Sequence, residues 1–287
     1  MLDQITPVLL TFNEAENIGR TLSHLGWAKE IVVVDSQSTD ETVSILRRFN
    51  QVRVFQRSFS THGDQWRYAI EETGITTAWI LRLDADYQVT EALVTEMAAL
   101  DPGAPVCAYK IGFDYAIFSR RLLSSLYPAN TILLRRDRFS VRDKGHTEVW
   151  SVNGPVEILK ARVIHDDWKS MEHWTAAQGR YMRRELDRLS RNQVGMRDWL
   201  RLRPPLMPIV MLFYCLLVKG LIFNGRAGIF YTLQRVVAEA VLSLMVLEET
   251  LRKQTTDSVP GAKTTRDASH QLENPNRNIG QNDHSRP

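Results

Sequence analysis

The feature of this sequence that most constrains its fold is the repeated alternation of short apolar runs with amphipathic stretches over the first hundred residues. Short runs rich in β-branched residues are typical of buried strands, and the stretches between them are long enough to form helices. We expect strands near residues 5–11, 30–35, 52–56 and 78–84. Strands that alternate with helices predict an α/β fold with a single, mostly parallel sheet flanked by helices.

Two helix starts are predicted from pairs of residues with the spacing of a capping box. In such a box a polar side chain and an acidic side chain three residues later satisfy the free amides of the first helical turn. Asn13 with Glu16 predicts the first helix, and Ser38 with Glu41 predicts the second. Both helices would then begin almost directly after a strand.

The composition is compatible with a globular enzyme. A chain of 287 residues, 44% of them hydrophobic, can bury a full core in one large domain or in one domain with an appendage. The two cysteines, Cys107 and Cys215, provide neither a disulfide framework nor a metal-ligand spacing. Asp3 and the absence of a basic segment before the first apolar run argue against a secretory signal peptide, so we expect a cytoplasmic chain.

The predicted strands end in acidic sequences, which are "TFNEAEN" at 11–17, "VVDSQSTDET" at 33–42 and "RLDADYQ" at 82–88. In sheets of this class ligands bind beyond the carboxyl ends of the strands. The glycine-rich turns of dinucleotide and P-loop sites are missing from this sequence. Carboxylates accept hydrogen bonds from a base or a ribose but repel phosphate, so an acidic rim that binds a nucleotide diphosphate needs a divalent cation.

Asp84 and Asp86 are the strongest metal-ligand candidates. In extended backbone they project to the same side, where both can reach one Mg²⁺ or Mn²⁺, or one of them a ribose hydroxyl. Such a cation would stabilise the charge on a departing diphosphate. The alternative is that strand-end aspartates only cap the next turn. Arg82 shares their side of the strand, and we expect it to pair with them, although its side chain could instead extend out of the sheet.

The segments "LLTFNEAENI", "EIVVVDSQSTDET" and "ILRLDADYQV" resemble, in order and spacing, the opening motifs of glycosyltransferase family 2, whose members have the GT-A fold. The later segments "LYPANTILLRRDRF", "DKGHTEVW" and "ARVIHDDWKSMEHWTAAQGRY" are similar to its lipopolysaccharide-core glucosyltransferase branch. The resemblance implies an enzyme that takes a sugar from a nucleotide-diphosphate donor and inverts the anomeric carbon in a single displacement.

The resemblance also implies roles for single residues in donor binding. Three residues would line the nucleotide pocket: Thr11, Asn13 and Glu14. Asp35 would accept the base N–H, and Asp84 and Asp86 would hold the ribose and the metal. Gln65 and Arg67 would face the donor. For Glu14 and Asp35 the alternative is helix-start capping, and for Gln65 and Arg67 it is a place on a helix surface.

A direct displacement needs a base that removes the proton of the attacking hydroxyl from the acceptor side. By the resemblance Glu148 is the first choice for this base, and His146 and Asp143 remain possible. His165 resembles the histidine that GT-A enzymes often bring to the metal or the diphosphate. The alternative for His165 is a structural histidine.

A helix is predicted over 170–189, with one face formed by Trp174, Gln178, Tyr181 and Glu185. We expect this face to pack against the catalytic domain. Residues 180–203 then contain eight arginines and three acids. Nucleic acid binding is not expected, because no stacking or groove-reading motif accompanies these arginines.

The arginines are followed by the apolar segment 206–223, a break at 224–228 and a second apolar segment at 229–247. Arg235 and Glu239 make full insertion of the second segment costly unless they pair or face protein, so an interfacial helical hairpin is favoured over two spans. Clustered arginines beside apolar segments favour the cytoplasmic face of an anionic membrane. The expected domains are a catalytic domain at 1–190, a basic linker with a membrane-associated hairpin at 191–251 and a disordered polar tail at 252–287.

These observations predict a membrane-associated, metal-dependent glycosyltransferase that acts at the cytoplasmic face of the inner membrane. The expected partners are a nucleotide-diphosphate sugar, a lipid-linked or cell-envelope glycan acceptor, as in lipopolysaccharide or polysaccharide biosynthesis, and the anionic membrane surface. The alternatives are a non-catalytic nucleotide-sugar-binding scaffold and a nucleotidyltransferase. A nucleotidyltransferase would need a glycine-rich basic loop for triphosphate, which is not visible in the sequence.

Overall fold

The computed structural model of the protein describes residues 1–144, 147–191 and 195–258, with the backbone alone at 143–144, 147–148, 191 and 256–258. The strands are β1 (Ile5–Thr11), β2 (Ile31–Asp35), β3 (Val52–Gln56), β4 (Trp79–Leu83), β5 (Tyr87–Val89), β6 (Ala108–Ile117), β7 (Arg120–Arg121), β8 (Asn130–Arg135), β9 (Phe139–Lys144), β10 (Thr147–Val152) and β11 (Val156–His165). The α-helices are α1 (Ile18–Ser23), α2 (Thr42–Leu46), α3 (His62–Glu71), α4 (Glu91–Ala98), α5 (Met171–Arg191), α6 (Met196–Arg201), α7 (Leu206–Phe213) and α8 (Gly225–Ser258).

The main sheet has the strand order β3-β2-β1-β4-β8-β6-β11-β5, with β7 paired to β6. Strands β3, β2, β1 and β4 pair in parallel, as predicted, and each lies within one residue of its expected bounds. The other half is mixed, because β8 is antiparallel to both β4 and β6, and β5 is antiparallel to β11. The predicted α/β class is therefore confirmed, but the sheet is more mixed than expected. A separate ribbon is formed by β9 and β10.

Hydrophobic cores cover both faces of the parallel half of the sheet. On one face Leu9 and Val33 pack in a cluster that includes the apolar residues of α1 and α4. On the other face Val8 and Val32 pack against Trp66 of α3. Burial on both faces explains why these strands are continuous apolar runs rather than alternating ones. It also leaves the carboxyl edge of the sheet as the place where polar residues collect.

The two predicted helix starts are wrong. Helix α1 begins at Ile18 and α2 at Thr42, and their N-cap residues, Asn17 and Glu41, lie four and three residues after Asn13 and Ser38. Asn13 has a left-handed backbone with φ of 53° and its side chain accepts a hydrogen bond from the Thr39 amide at 2.9 Å. Ser38 Oγ in turn accepts from the Asn13 amide at 2.9 Å. The side chains expected to cap helices instead connect two loops that lie far apart in the sequence.

Helix α5 covers the predicted segment but packs elsewhere. Its Leu186 and Leu189 form a cluster with Leu242 and Val246 of α8. Gln178 is buried, as expected of the predicted face, whereas Tyr181 is 53% exposed. Tyr181 of the predicted face is therefore not packed, and the contacts with the long C-terminal helix come from Leu186 and Leu189, which lie outside that face.

The C-terminal helices form a hairpin. Met207 and Met211 of α7 pack on Ala227 and Tyr231 of α8, and the chain reverses between them. Gly220 takes the left-handed conformation, with φ of 66°, at this reversal. Within the described residues one helix, 221–255, is long and apolar enough to cross a membrane. Because α8 continues to Ser258, the predicted start of the disordered tail at 252 is wrong, and the remainder of that tail, 259–287, lies outside the described residues.

A buried ion-pair network joins α5, α6 and α8. Arg201 and Glu239, 5% and 1% exposed, are paired through two hydrogen bonds, one of which joins Arg201 Nε and Glu239 Oε2 at 2.9 Å. Arg201 also pairs with Glu185, whose carboxylate accepts from Arg188 Nε at 2.9 Å. Glu239 therefore faces protein and is paired. One of these two arrangements is expected from the sequence for an acid within an apolar segment.

Replacement of Arg201 by Ala leaves Glu239 buried without its main partner, and we expect a loss of about 3–5 kcal/mol in the free energy of unfolding, measured with urea. The matched control is Arg252→Ala, which removes the exposed pair with Glu248 and should cost less than about 1 kcal/mol. The double variant Arg201→Met, Glu239→Leu should recover most of the loss. Equal losses for Arg201→Ala and Arg252→Ala would contradict a buried role for the network.

Candidate functional site

Asp84 and Asp86 lie in a tight turn between β4 and β5, not in extended backbone. The turn is closed by a hydrogen bond from the Tyr87 amide to the Asp84 carbonyl at 3.1 Å. Ala85 is buried between the two aspartates, and its carbonyl accepts from Thr21 Oγ1 at 2.5 Å. Asp84 is exposed and Asp86 is partly exposed. The extended backbone predicted for this pair is therefore wrong, and the projection of both carboxylates to one side stays a prediction.

Asp86 is held by His165, the last residue of β11. His165 Nε2 lies 3.0 Å from Asp86 Oδ2, and the rings of Tyr87, Tyr115 and Tyr127 surround the imidazole at centroid distances of 5.3, 4.6 and 4.8 Å. Burial alone would lower the pKa of His165, but the charge and hydrogen bond of Asp86 outweigh it and raise that pKa. The pKa of Asp86 is lowered, because His165 outweighs the effect of burial. Both directions favour an imidazolium–carboxylate pair.

Asp84 has the opposite electrostatic setting. Burial raises the pKa of its carboxyl, the charge of Asp86 raises it further, and Arg82 acts against both. The Asp84 residue is exposed, yet the protein around its carboxyl removes part of the hydration of the charged form. The pKa values of these two neighbouring carboxyls therefore shift in opposite directions. The cations nearby stabilise the ionised form of Asp86 but do not fully stabilise that of Asp84.

Asp35, the last residue of β2, accepts hydrogen bonds from several neighbouring residues. Its fully buried carboxylate accepts from Thr11 Oγ1 at 2.9 Å, from the amide and hydroxyl of Ser38 at 2.9 and 2.5 Å, and from Gln56 Nε2 at 3.4 Å. These donors occupy the acceptor capacity of a carboxylate. Asp35 and Thr11 thus fix the loop that begins at Ser36, and a base N–H could bind Asp35 only in place of one of these donors.

Glu14 lies where the loop after β1 meets the segment after β11. Its carboxylate is paired with Lys169 and accepts from Asn17 Nδ2 at 3.1 Å. Burial raises the pKa of Glu14 to about 7 despite Lys169, and Asp86 adds to the rise. The pKa of Lys169 is raised as well: burial alone would lower it, but Glu14, Asp167 and Asp86 outweigh that effect. The pKa of Glu14 thus rises mainly through burial, and the pKa of Lys169 rises through the acids around it.

The segment after β11 closes the site and was only partly recognised in the sequence. Asp166, 1% exposed, accepts from Arg20 Nη1 at 2.9 Å, from Trp168 Nε1 at 2.9 Å and from the Ser119 amide at 3.0 Å. Asp167 accepts from the buried Asn17 at 2.8 Å. The only signal for these roles in the sequence is a pair of acids beside Trp and Lys directly after a predicted strand, since their partners lie almost 150 residues away.

Gln65 and Arg67 do not lie together at the acidic edge. Gln65 is fully buried and donates to Ser36 Oγ at 2.9 Å, so it supports the loop after β2. Arg67 contacts Asp64 at 3.5 Å and, with Arg136 and Phe139, lines a cavity of about 120 Å³ between α3 and β9. Arg82 lies over the Trp150 ring, 4.5 Å from its centroid, while its charge still lowers the pKa of Asp84.

The predicted base lies on the β9–β10 ribbon, where the backbone of Glu148 is paired with that of Asp143. The side chains of Glu148 and Asp143, and all of His146, lie outside the described residues. Their assignment as candidate bases stays a prediction.

A divalent cation fits two of the three predicted ligands. Asp86 Oδ1 is buried and makes no hydrogen bond within the described residues, and Asp84 stands beside it on the open side of the turn. Mg²⁺ commonly uses one or two carboxylates and completes its shell with water and substrate phosphate. His165 is instead engaged with Asp86, and the described parts of the chain contain no cluster of three His, Cys, Asp or Glu arranged for a metal ion.

Comparison with known proteins shows what this region is similar to. Residues 7–144 match the family Glycosyl transferase family 2. The chain is similar to an uncharacterized glycosyltransferase of Rickettsia felis, with 31% identity over 97 residues and 33% of each chain covered. A second relative, from Rickettsia bellii, is 34% identical over 95 residues, which cover 33% of this chain and 31% of the relative. The chain thus aligns with about a third of the length of these relatives.

Two solved structures are also similar. One is Staphylococcus aureus TarS in complex with UDP-GlcNAc, with a TM-score of 0.44, 14% identity and coverage of 87% of this chain and 92% of that one. The other is glucosyl-3-phosphoglycerate synthase from Mycobacterium tuberculosis in complex with Mn²⁺, UDP and phosphoglyceric acid, with a TM-score of 0.40, 15% identity and coverage of 60% and 73%. The family match covers residues 7–144 of the expected catalytic domain and does not distinguish a branch within the family.

We expect Glu14→Gln to change the pH dependence of stability. A carboxyl whose pKa rises from 4.5 to about 7 on folding takes up a proton on folding between those values, so its contribution to stability falls as pH rises through that interval. Measured with urea, the free energy of unfolding of the variant should therefore rise relative to that of the wild type between about pH 4.5 and 7. Above about pH 7 the difference should stay constant.

The control for this measurement is the exposed Glu16, whose replacement by Gln should leave the pH dependence unchanged. A constant difference between Glu14→Gln and the wild type across this pH range would show that the Glu14 carboxyl is not protonated on folding.

Proposed function

We propose that the protein is a membrane-associated, inverting glycosyltransferase that transfers a sugar from a nucleotide-diphosphate donor to a lipid-linked or cell-envelope glycan. The observation that carries this proposal is the Asp84–Asp86 turn, where a buried Asp86 oxygen without a hydrogen-bond partner lies two residues from the exposed Asp84, inside a region that matches Glycosyl transferase family 2. Asp35, Thr11, Asn13 and Glu14 gather at the same edge of the sheet and frame the donor pocket.

The residues of this chain would divide the work of the reaction. Asp84 and Asp86 would hold Mg²⁺ or Mn²⁺, which supplies charge stabilisation to the departing diphosphate when bound. His165 keeps Asp86 ionised and fixes its orientation. Arg20 and Asp166 hold the segment that carries His165 against α1. Glu148, or alternatively His146 or Asp143, would accept the proton of the attacking hydroxyl.

An apolar surface of the hairpin supports membrane association. A continuous stretch of chain exposes large apolar side chains: Leu206, Ile209, Val210, Phe213, Leu217, Val218, Ile222 and Phe223. It is preceded by Trp199 and Arg203, whose guanidinium lies 3.9 Å from the indole centroid. Trp and Arg beside apolar residues are typical of a membrane interface. Since Glu239 is locked to Arg201, we infer that the hairpin lies in the interface rather than spans the bilayer, on the cytoplasmic side.

The donor and the metal can be tested by thermal unfolding of the full chain with UDP, GDP, CMP or dTDP, each with Mn²⁺ or EDTA. We expect one nucleotide to raise the Tm by several degrees only with Mn²⁺, because a ligand at about 100 times its Kd stabilises the folded state by about 2.7 kcal/mol. Asp86→Asn should abolish this shift. The matched control is Asp3→Asn, an exposed acid beside the opposite end of β1, which should retain it.

The variant Glu148→Gln tests whether the protein is an enzyme or a non-catalytic scaffold. In an enzyme this change should retain the nucleotide shift and reduce diphosphate release, measured with the donor and detergent-extracted envelope lipids, by about a hundredfold or more. Binding without turnover in the wild type would favour the scaffold, and the absence of any nucleotide shift would reject the donor pocket.

Membrane association can be measured by flotation of the protein with vesicles of phosphatidylcholine alone or with about a third phosphatidylglycerol, an anionic lipid that attracts polybasic segments. We expect more binding to the anionic vesicles, and a strong decrease for the double variant Leu217→Ser, Phe223→Ser. Ile158→Ser, at a residue of β11 that is 70% exposed, is the control and should bind like the wild type. Equal binding of the double variant and this control would contradict a role for the hairpin surface.

A further inference from the structure

The first turns of α8 lie against the catalytic sheet close to the acidic site. The Tyr231 ring of α8 lies 4.8 Å from that of Tyr115 on β6, and the Tyr115 ring lies 4.6 Å from that of His165. Tyr231 Oη also accepts a hydrogen bond from the Leu126 amide at 3.1 Å. A single row of rings therefore connects the C-terminal helix to the partner of Asp86.

Arg235 stands one helical turn beyond Tyr231, on the same face of α8. Its side chain is partly buried, and its Nε is buried without a hydrogen-bond partner. Within the described residues it makes no hydrogen bond and no ion pair. A buried donor without a partner destabilises the folded state, and a charged one does so more strongly, so a ligand that accepts from Arg235 would remove this penalty.

The ordinary partner of Arg235 would be Glu239, one turn further along the same helix. Both oxygens of Glu239 are instead bound by Arg201, and Arg197 Nη2 lies 4.0 Å from Oε1. The buried network thus removes the one nearby acid on α8 that could neutralise Arg235. The positive charge of Arg235 therefore stays without an acidic partner on α8, at the seam, by which we mean the contact between α8 and the sheet at Tyr231 and Tyr115.

The electrostatic surroundings of Tyr115 locate this charge relative to the acidic site. Burial and Tyr231 raise the pKa of the Tyr115 hydroxyl, Asp86 and Asp167 raise it further, and Arg235 lowers it. One hydroxyl therefore lies within the electrostatic range of both Arg235 and Asp86. An anion bound at Arg235 would sit on the α8 side of the Asp84–Asp86 turn.

We propose that Arg235 binds a substrate phosphate at this seam, with the Tyr115 hydroxyl as a neighbouring donor. A guanidinium matches phosphate oxygens in a bidentate fashion and remains charged when partly desolvated. The phosphate belongs either to the diphosphate of the donor or to a lipid-linked acceptor whose chain follows the apolar surface of the hairpin. The inference rests on the proposed function, because both phosphates are those of its substrates.

The experiment measures dissociation constants for two pairs of probes with the full chain in detergent. UDP with Mn²⁺ and uridine with Mn²⁺ test the donor phosphate, and farnesyl phosphate and farnesol test a lipid phosphate. We expect Arg235→Gln to weaken one phosphate probe by about tenfold or more, the effect of losing a charged hydrogen bond, and to leave uridine and farnesol unchanged. Arg226→Gln, an exposed arginine on the same helix, is the matched control and should bind all four probes like the wild type.

The outcomes separate the two sources. Weaker UDP binding alone assigns Arg235 to the donor diphosphate, and weaker farnesyl phosphate binding alone assigns it to the acceptor. Unchanged binding of both phosphates in Arg235→Gln, or binding of neither by the wild type, overturns the inference. If Arg235→Gln does not fold, Arg235→Lys keeps the charge without the planar fork and should show a smaller loss on the same probe.

This experiment also distinguishes failure of the inference from failure of the proposed function. If the wild type and Arg235→Gln bind UDP with Mn²⁺ equally well, the proposed donor pocket is supported and only the proposed role of Arg235 in binding UDP is rejected. A wild-type protein that binds farnesyl phosphate through Arg235 but binds no nucleotide retains the anion site and loses the donor pocket.

Discussion

The arrangement of this protein depends on the satisfaction of buried carboxylates at the carboxyl edge of its sheet. A buried carboxylate without partners is costly, so each one must find donors or cations in the folded chain. Asp35 uses Thr11 and Ser38, Asp166 uses Arg20, and Glu14 uses Lys169. Asp86 uses His165 for one oxygen and leaves the other unpartnered. In the proposed function this remaining oxygen is a ligand of the divalent cation.

The same requirement ties distant parts of the chain together. The segment after β11 is held against α1 because its acids bind Arg20 and Asn17, and this contact brings His165 to the turn after β4. The hairpin follows the same rule, since Arg201 binds Glu239 in a position shielded from solvent. Because Arg201 takes both oxygens of this acid, Arg235, one turn away on α8, makes no ion pair with Glu239.

The parallel strands could be predicted within a residue because burial on both faces makes each a continuous apolar run, which is a local property. The helix starts could not be predicted in this way, because the side chains of Asn13 and Ser38 form hydrogen bonds between two loops. In the sequence, residues with this role have the same spacing as residues of a capping box. The antiparallel half was missed for a similar reason, since the apolar pattern of β8 does not record the direction of its neighbours. Asp84 and Asp86 were recognisable from their spacing, whereas Arg20 and Asp166 depend on tertiary pairing.

Metal binding at the Asp84–Asp86 turn can be tested with an anomalous difference map, recorded from crystals grown with UDP and Mn²⁺. We predict one Mn²⁺ peak in contact with the carboxylates of Asp84 and Asp86 and with the diphosphate, with the His165–Asp86 hydrogen bond retained. A nucleotide bound elsewhere, or a Mn²⁺ peak that contacts neither aspartate, would contradict it.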